Sequence, residues 1–261
     1  VRGGGDLASG VALRLHRAGL RIVISELREP LAVRRTVAFS EAIYEGRMTV
    51  EGVTAQRAAP DEIDSILTQD QIPILVDPTA SILADERYTF RVLVDARMLK
   101  TTPQRLPARI ALHIGLGPGF RAGRDCDAVI ETRRSHTLGR VYWDGTTQAD
   151  SAQPEGDSRR VLRAPQDGIL QGVAKIGTHV DEGDVIADVA GVKVTAPFAG
   201  ILRGLIRPGL AVTKGEKIGD VDLREDAAAC LLVSDKSLAI GGAILEAILS
   251  KPDLRASLWQ A

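Results

Sequence analysis

A chain of 261 residues, 44% hydrophobic and 26% charged, is long enough for two cored domains and ordinary for a globular protein. Its formal net charge of -1 and its 3% aromatic content speak against the basic surfaces and stacking platforms of nucleic-acid binders, so no nucleic-acid partner is expected. No apolar run reaches the roughly 18 residues of a bilayer span, no signal peptide is visible, and Cys126 and Cys230 have no metal spacing, which predicts a cytoplasmic protein with no membrane partner and no metal site.

The chain begins at Val1 instead of a Met, so residues upstream are expected. The opening Val1-Arg-Gly-Gly-Gly-Asp-Leu-Ala-Ser-Gly10 reads as a strand end running into a glycine loop. Leu7, Val11 and Leu15 recur every four residues and predict a helix that Gly19 ends in a left-handed cap. Glycines before a helix let backbone approach a phosphate, and the free N–H groups of the first turn hold the anion. Gly3-x-Gly5-x-x-Ala8 fits dinucleotide spacing with alanine in the third place, making Gly3, Gly4, Gly5, Asp6, Ala8 and Gly10 candidate phosphate-loop residues. Asp6 would repel a diphosphate unless it faces away or caps the helix. The strand Arg21–Ser25 follows, and Glu26 at its end stands where an acid holds a ribose hydroxyl. A helix-entry turn without a ligand is the competing reading.

Residues 30–44 look helical, though their faces are poorly separated. The runs 72–76, 92–94, 110–114 and 128–130 are short and β-branched, as in a parallel sheet between helix layers. A second glycine loop, with Gly115, Gly117 and Gly119, follows the 110–114 strand, and a plain turn explains it equally well. Asp95 and Lys100 follow the 92–94 strand, and Arg133, Arg134, His136 and Arg140 form a basic stretch able to clamp a phosphate, carboxylate or oxyanion. Composition alone favours a solvated loop there. No nucleophile–base set is recognisable, so no catalytic residue is assigned.

Residues 144–158 are polar and turn-rich, which places a linker or exposed loop at 146–160, after a first domain of 1–145. Beyond it, Ala164-Pro-Gln-Asp-Gly-Ile-Leu170 matches Ala196-Pro-Phe-Ala-Gly-Ile-Leu202 thirty-two positions later. Gly177 and Gly209, Gly183 and Gly215, and Val189 and Val221 keep that offset. Residues 161–223 therefore resemble the biotinyl/lipoyl attachment family, with its "APxxG" and "VxxGD" phrases. That resemblance implies a small β-barrel with a carrier lysine at a hairpin tip. Here Lys193 lies within the alternating strand Val192-Lys-Val194, with the valines expected inward and the lysine outward. A barrel without a carrier lysine, and no covalent biotin or lipoate, is expected. The segment 224–261 has helical spacing at Leu238, Leu245 and Leu249 and returns towards the first domain, with Gly241-Gly242 marking a close approach.

The phrases "RGGGDLASGVALRLHRAG", "EPLAVRRTVAFSEAIYEG", "LVDARMLK", "IGLGPGFRAGRDCDAVIETRRSHTLGRV" and "SDKSLAIGGAILEAIL" run across nearly the whole chain. Together they resemble the YqeB-type proteins of the selenium-dependent molybdenum hydroxylase system. The resemblance implies an α/β Rossmann-like domain joined to a biotinyl/lipoyl-like barrel. It also implies an accessory role in maturing a molybdenum hydroxylase client, with a nucleotide or molybdopterin-type cofactor at the glycine-loop edge. Arg133-Arg-Ser-His136 departs from the Arg-Gly-His phrase of that family. The alternative is an NAD(P)-dependent oxidoreductase with an appended barrel, which the glycine loop and Glu26 permit.

Overall fold

The computed structural model of the protein describes residues 1–103, 110–150 and 157–258. The expected linker at 146–160 falls partly on residues 151–156, outside the described residues, as does the tail end at 259–261.

Helix α1 (Asp6–Arg17) forms because Ala8, Val11, Ala12 and Leu15 share a buried face, with Asp6 in the first turn and Arg14, His16 and Arg17 in the last complementing its dipole. Gly19, at φ +85°, accepts the left-handed turn that ends it. Strand β1 (Ile24–Glu26) follows. The stretch 30–44 is not one helix. It contains two 3-10 turns, Arg35–Val37 and Phe39–Glu41, and the one-turn α2 (Ala42–Glu45). Tertiary bonds override helix there, since Ser9 Oγ accepts from Phe39 N–H at 2.7 Å and Gly4 carbonyl from Ser40 N–H at 2.8 Å.

Next come β2 (Arg47–Val50), β3 (Val53–Arg57), α3 (Ile63–Leu67), β4 (Ile72–Val76), β5 (Val92–Asp95), β6 (Leu112–Leu116), β7 (Ala128–Ile130) and β8 (Val141–Tyr142). They build two four-stranded sheets, ordered β1-β4-β3-β2 and β5-β6-β7-β8, with a parallel interior and an antiparallel outer pair in each.

The sandwich contains β9 (Val161–Arg163), β10 (Gly168–Gly172), β11 (His179–Val180), β12 (Val185–Val189), β13 (Val192–Thr195), β14 (Gly200–Leu205), β15 (Ala211–Val212) and β16 (Lys217–Asp222). Its two antiparallel sheets, β13-β12-β10-β15 and β11-β14-β16-β9, face each other across Leu170, Ile186, Leu202, Ile218 and Val221. Helices α4 (Asp235–Leu249) and α5 (Pro252–Leu258) close the chain.

The expected Rossmann-like domain joined to a biotinyl/lipoyl-like barrel is corrected on both counts. In a doubly wound sheet the crossovers between parallel strands are usually helices. The chain passes from β4 to β5 through only a 3-10 turn, Ser81–Ala84, and from β6 to β7 with no helix. In the second half, no ladder joins the two sheets among the described residues, so no barrel closes. The repeat glycines do serve as turns. Gly177 and Gly209 take φ +92° and +91°, and Gly183 and Gly215 take +89° and +82°.

Lys193 is exposed on β13, and Val194 beside it is buried. Val192, expected inward, is 41% exposed because it ends a two-residue hairpin turn at Ala190–Gly191.

Helix α4 buries Ile240, Gly241, Ile244, Ala247 and Ile248 in the core that holds Val11, Leu13, Ile24, Ile72 and Ile114; the expected Leu238 and Leu245 are only partly buried. Its packing partner is α1. By length and composition alone, the run Ala227–Leu249 reaches what a bilayer span needs, although it joins a 3-10 turn to α4 across Asp235 and Lys236. Arg35 and Arg207 fasten the sandwich to the first core, Arg207 through Glu41 at 3.1 Å, and Arg34 fastens the segment between the sandwich and α4. Arg34 Nη2 donates to the Ala229 and Leu232 carbonyls at 3.2 and 2.9 Å, and Arg35 Nε to the Leu205 carbonyl at 3.1 Å.

Candidate ligand-binding cleft

Residues Val1–Gly3 run between the two mixed sheets. Arg2 bridges Ser25 of β1 on one side and Asp95 of β5 on the other, both parallel. Its N–H donates to the Val94 carbonyl at 2.8 Å, and its own carbonyl accepts from Ala96 N–H at 2.9 Å. From this central segment the chain first builds β1 to β4 on one side and then crosses to β5 on the other. Crevices at the carboxyl ends of parallel strands where the order reverses are favoured binding places. A cleft of about 500 Å³ lies there, lined by Arg2, Gly3, Gly5, Asp6, Ala8 and Glu26 among others.

The glycine run has divided roles. Gly3 holds φ +90°, which an L side chain resists, and its N–H donates to the Ser25 carbonyl at 2.8 Å. Gly4 N–H donates to Glu26 Oε2, and Leu27 N–H to Glu26 Oε1 at 2.6 Å. Glu26 is therefore a buckle that fixes the loop to the end of β1, and both its oxygens are already in use. Burial pushes its carboxyl above the ordinary value of 4.5, against the pull of those two N–H donors. With the amides of Gly3 and Gly4 spent, the N–H groups still facing outward are those of the first turn of α1. Gly5 occupies the N-cap without a side chain to satisfy them. Asp6 neither caps the helix nor lies clear of the cleft; it sits one residue inside, lining it, with Oδ2 3.9 Å from Arg34 Nη1.

Positive charge comes from residues the sequence reading passed over. Asp95, 1% exposed, accepts from Arg97 Nε at 2.8 Å and Nη2 at 2.7 Å, and from Arg2 Nη1 at 3.4 Å. Arg2 also donates to the Pro78 carbonyl at 3.1 Å, and burial lowers its guanidinium from the usual range against the opposing pull of Asp95. Both arginines line the cleft, together with Met98, held at φ +55°. A left-handed backbone at a bulky residue costs roughly 1–3 kcal/mol and tends to cluster at binding sites. Asp77, also lining, has its carboxylate spent on Ser81 and Ile82 N–H groups at 2.8 and 2.9 Å.

The remaining candidates lie elsewhere. Gly10 is a helix-crossing residue whose added Cβ would meet Ser237 Cβ at 2.3 Å. The second glycine loop is packing, because Phe120 covers Gly115, Met98 and Thr132 flank Gly117, and the Leu99 carbonyl presses on Gly119. Lys100 is exposed and pairs with Asp150 at 2.7 Å. Arg133 and His136 are exposed on the loop after β7, outside the cleft. Arg134, expected in the same clamp, pairs with Asp235 at the start of α4. Missed from sequence were Arg2, Arg97, Ser40, Asp77 and Met98. Only Arg2, immediately before the glycines, carried a local signal.

No protein-family model matches the chain. Among solved structures, an aspartoacylase family protein of Mesorhizobium loti is 19% identical over 24% of this chain and 23% of that one, with a TM-score of 0.23. The ectoine utilization protein EutE of Ruegeria pomeroyi is 23% identical over 30% of this chain and 27% of that one, with a TM-score of 0.24. Likeness at that level carries no argument. The "Uncharacterized protein YqeB" of Escherichia coli (strain K12) is 46% identical over 254 residues, covering 95% of this chain and 47% of the relative. The chain thus spans about half the length of the relative it matches, and along that half it is a YqeB-like protein.

Proposed function

We propose that this chain is an accessory factor in the maturation of molybdenum hydroxylases, holding a nucleotide or molybdopterin-type ligand by its phosphate end in the cleft beside Val1–Gly3. The observation that carries the ligand is the uncapped first turn of α1 opening beside Arg2 and Arg97 at the reversal of strand order. The sequence phrases shared with the YqeB-type proteins support the pathway and a cytoplasmic client enzyme. The cleft, at about 500 Å³, is within the range of small-molecule sites.

The donor set fits the phosphate of such a ligand. The first-turn N–H groups of α1, which no side chain caps, would meet it along the helix dipole, and Arg97 adds charge. A molybdopterin-type ligand would supply the metal-binding dithiolene to the client, and this chain's part is to grip and orient the phosphate end. The nicotinamide reading needed Glu26 on a ribose, and that carboxylate is engaged by two backbone donors.

Native mass spectrometry of protein purified from its own host tests the reading. A bound nucleotide or pterin mass that disappears in Gly5→Asp is expected. A ligand-free protein from cells with active molybdenum hydroxylase overturns it.

A further inference from the structure

Ser40 sits in the wall of the cleft, after the second 3-10 turn begins, and is 1% exposed. Its N–H is used by the Gly4 carbonyl, yet its hydroxyl Oγ is buried with no hydrogen-bond partner. An unpaired buried hydroxyl costs stability, and proteins seldom retain one without a use. Ser9, the neighbouring serine, shows the contrast. Its Oγ donates to the Gly4 carbonyl at 3.0 Å and accepts from Phe39 N–H at 2.7 Å.

The surroundings limit what the hydroxyl can meet. The amides of Gly3 and Gly4 are spent within the protein, so the anion-binding capacity is that of one helical turn. Three carboxylates, Asp6, Glu26 and Asp77, line the same cleft against two guanidiniums, Arg2 and Arg97. That balance opposes the charge of a bridged diphosphate, while one phosphate on the α1 turn faces the nearest donors.

We propose that Ser40 is a ligand-contacting residue, its hydroxyl donating to a single phosphate group seated on the first turn of α1, and that the cleft selects a phosphomonoester over a diphosphate. This rests on the reading of the cleft as a phosphate-end site. It adds the residue that recognises the group and the number of phosphates admitted.

The test is isothermal titration of the full chain with inorganic phosphate, pyrophosphate, AMP and ADP, on wild type, Ser40→Ala and Ser40→Cys. Wild type is expected to bind phosphate and AMP, with pyrophosphate and ADP no tighter than their single-phosphate counterparts. A hydrogen bond to a charged group predicts a loss of about 10- to 100-fold for phosphate and AMP in Ser40→Ala. Ser40→Cys, which keeps a weak donor, is expected to fall between. In the absence of ligand, the urea midpoint of Ser40→Ala should equal or exceed that of wild type, because an unpaired hydroxyl is removed; a hydroxyl with a structural role would lower it.

Equal affinity in wild type and Ser40→Ala overturns the assignment, as does pyrophosphate binding ten-fold tighter than phosphate. Ser40-dependent phosphate binding with AMP no tighter than phosphate keeps the Ser40 assignment and removes the nucleotide reading. If none of the four probes binds wild type, the Ser40 assignment falls, while a cofactor mass recovered from the host would leave the accessory role standing.

Discussion

Gly10 of α1 and Ser237 of α4 meet at the helix crossing so closely that a methyl on Gly10 would overlap the Ser237 Cβ. Ser237 is fully buried there, with its N–H capped by Ser234 Oγ at 3.1 Å. Neither backbone can retreat without disturbing the core on its other side. Gly10→Ala is therefore expected to destabilise the protein by about 2 kcal/mol through overpacking, read as a lower urea midpoint at unchanged slope. A variant as stable as wild type would mean that the helices separate freely.

Gly5→Asp separates binding from folding. Position 5 has open space where a Cβ would go, and its φ of -65° suits any residue. Aspartate is a better N-cap than glycine by a few tenths of a kcal/mol, so the unfolding free energy should hold or rise slightly. The added carboxylate faces the anion position, and AMP affinity measured by titration should fall at least about ten-fold. Binding that survives places the anion away from α1.

Glu26→Gln gives a signed pH effect. Burial raises the Glu26 carboxyl in the folded protein above 4.5, so the protonated form is favoured by folding. Its contribution is fully present below the unfolded value and is lost as pH rises through the raised folded value. Glutamine does not titrate, but turns an amide NH₂ towards Gly4 or Leu27 N–H, at a cost of about 1–3 kcal/mol. Urea unfolding from pH 4 to 8 should show the wild-type advantage over Glu26→Gln shrinking as pH rises. An advantage that grows with pH contradicts the raised value.

Asp222 acts in the opposite direction. Hydrogen bonds from Arg224, aided by Arg203, hold its carboxyl at about 2, below the ordinary 3.8. That contribution is present above 3.8 and is lost as pH falls through about 2. Asp222→Asn should cost about 1 kcal/mol at neutral pH, and the gap from wild type should close between pH 4 and 2. A gap that stays constant across that range removes the ion-pair account.

Local periodicity was readable where local forces dominate. The Leu7/Val11/Leu15 spacing marks α1, the run 72–76 coincides with β4, and the thirty-two-residue offset anticipates the matched turns of the sandwich. The hairpin of β2 and β3 was passed over, although Glu51–Gly52, both at positive φ, mark its turn. Fold class failed for a non-local reason. Short β-branched runs look alike whether a helix or an irregular segment joins them, and a strand repeat does not say whether two sheets close. The cleft was half legible. Gly3, Gly5, Asp6, Ala8 and Glu26 line it, but Arg97, Ser40 and Asp77 arrive from three other segments that only the tertiary fold brings together. Gly10, Gly115 and Gly119 look like loop-formers in sequence and prove to be contact points for Ser237, Phe120 and Leu99.

The sandwich lies between β8 and α4 in the chain, while α4 belongs to the same core as α1 and β4. It is thus an insertion with two chain connections, and Val33 of the first domain packs on its core beside Gly204. Arg35 on Leu205 and Arg207 on Glu41 clasp it to the first domain as well. A protease nick in the exposed Ala190–Gly191 turn would leave both connections attached, and the cut protein would still migrate as one particle.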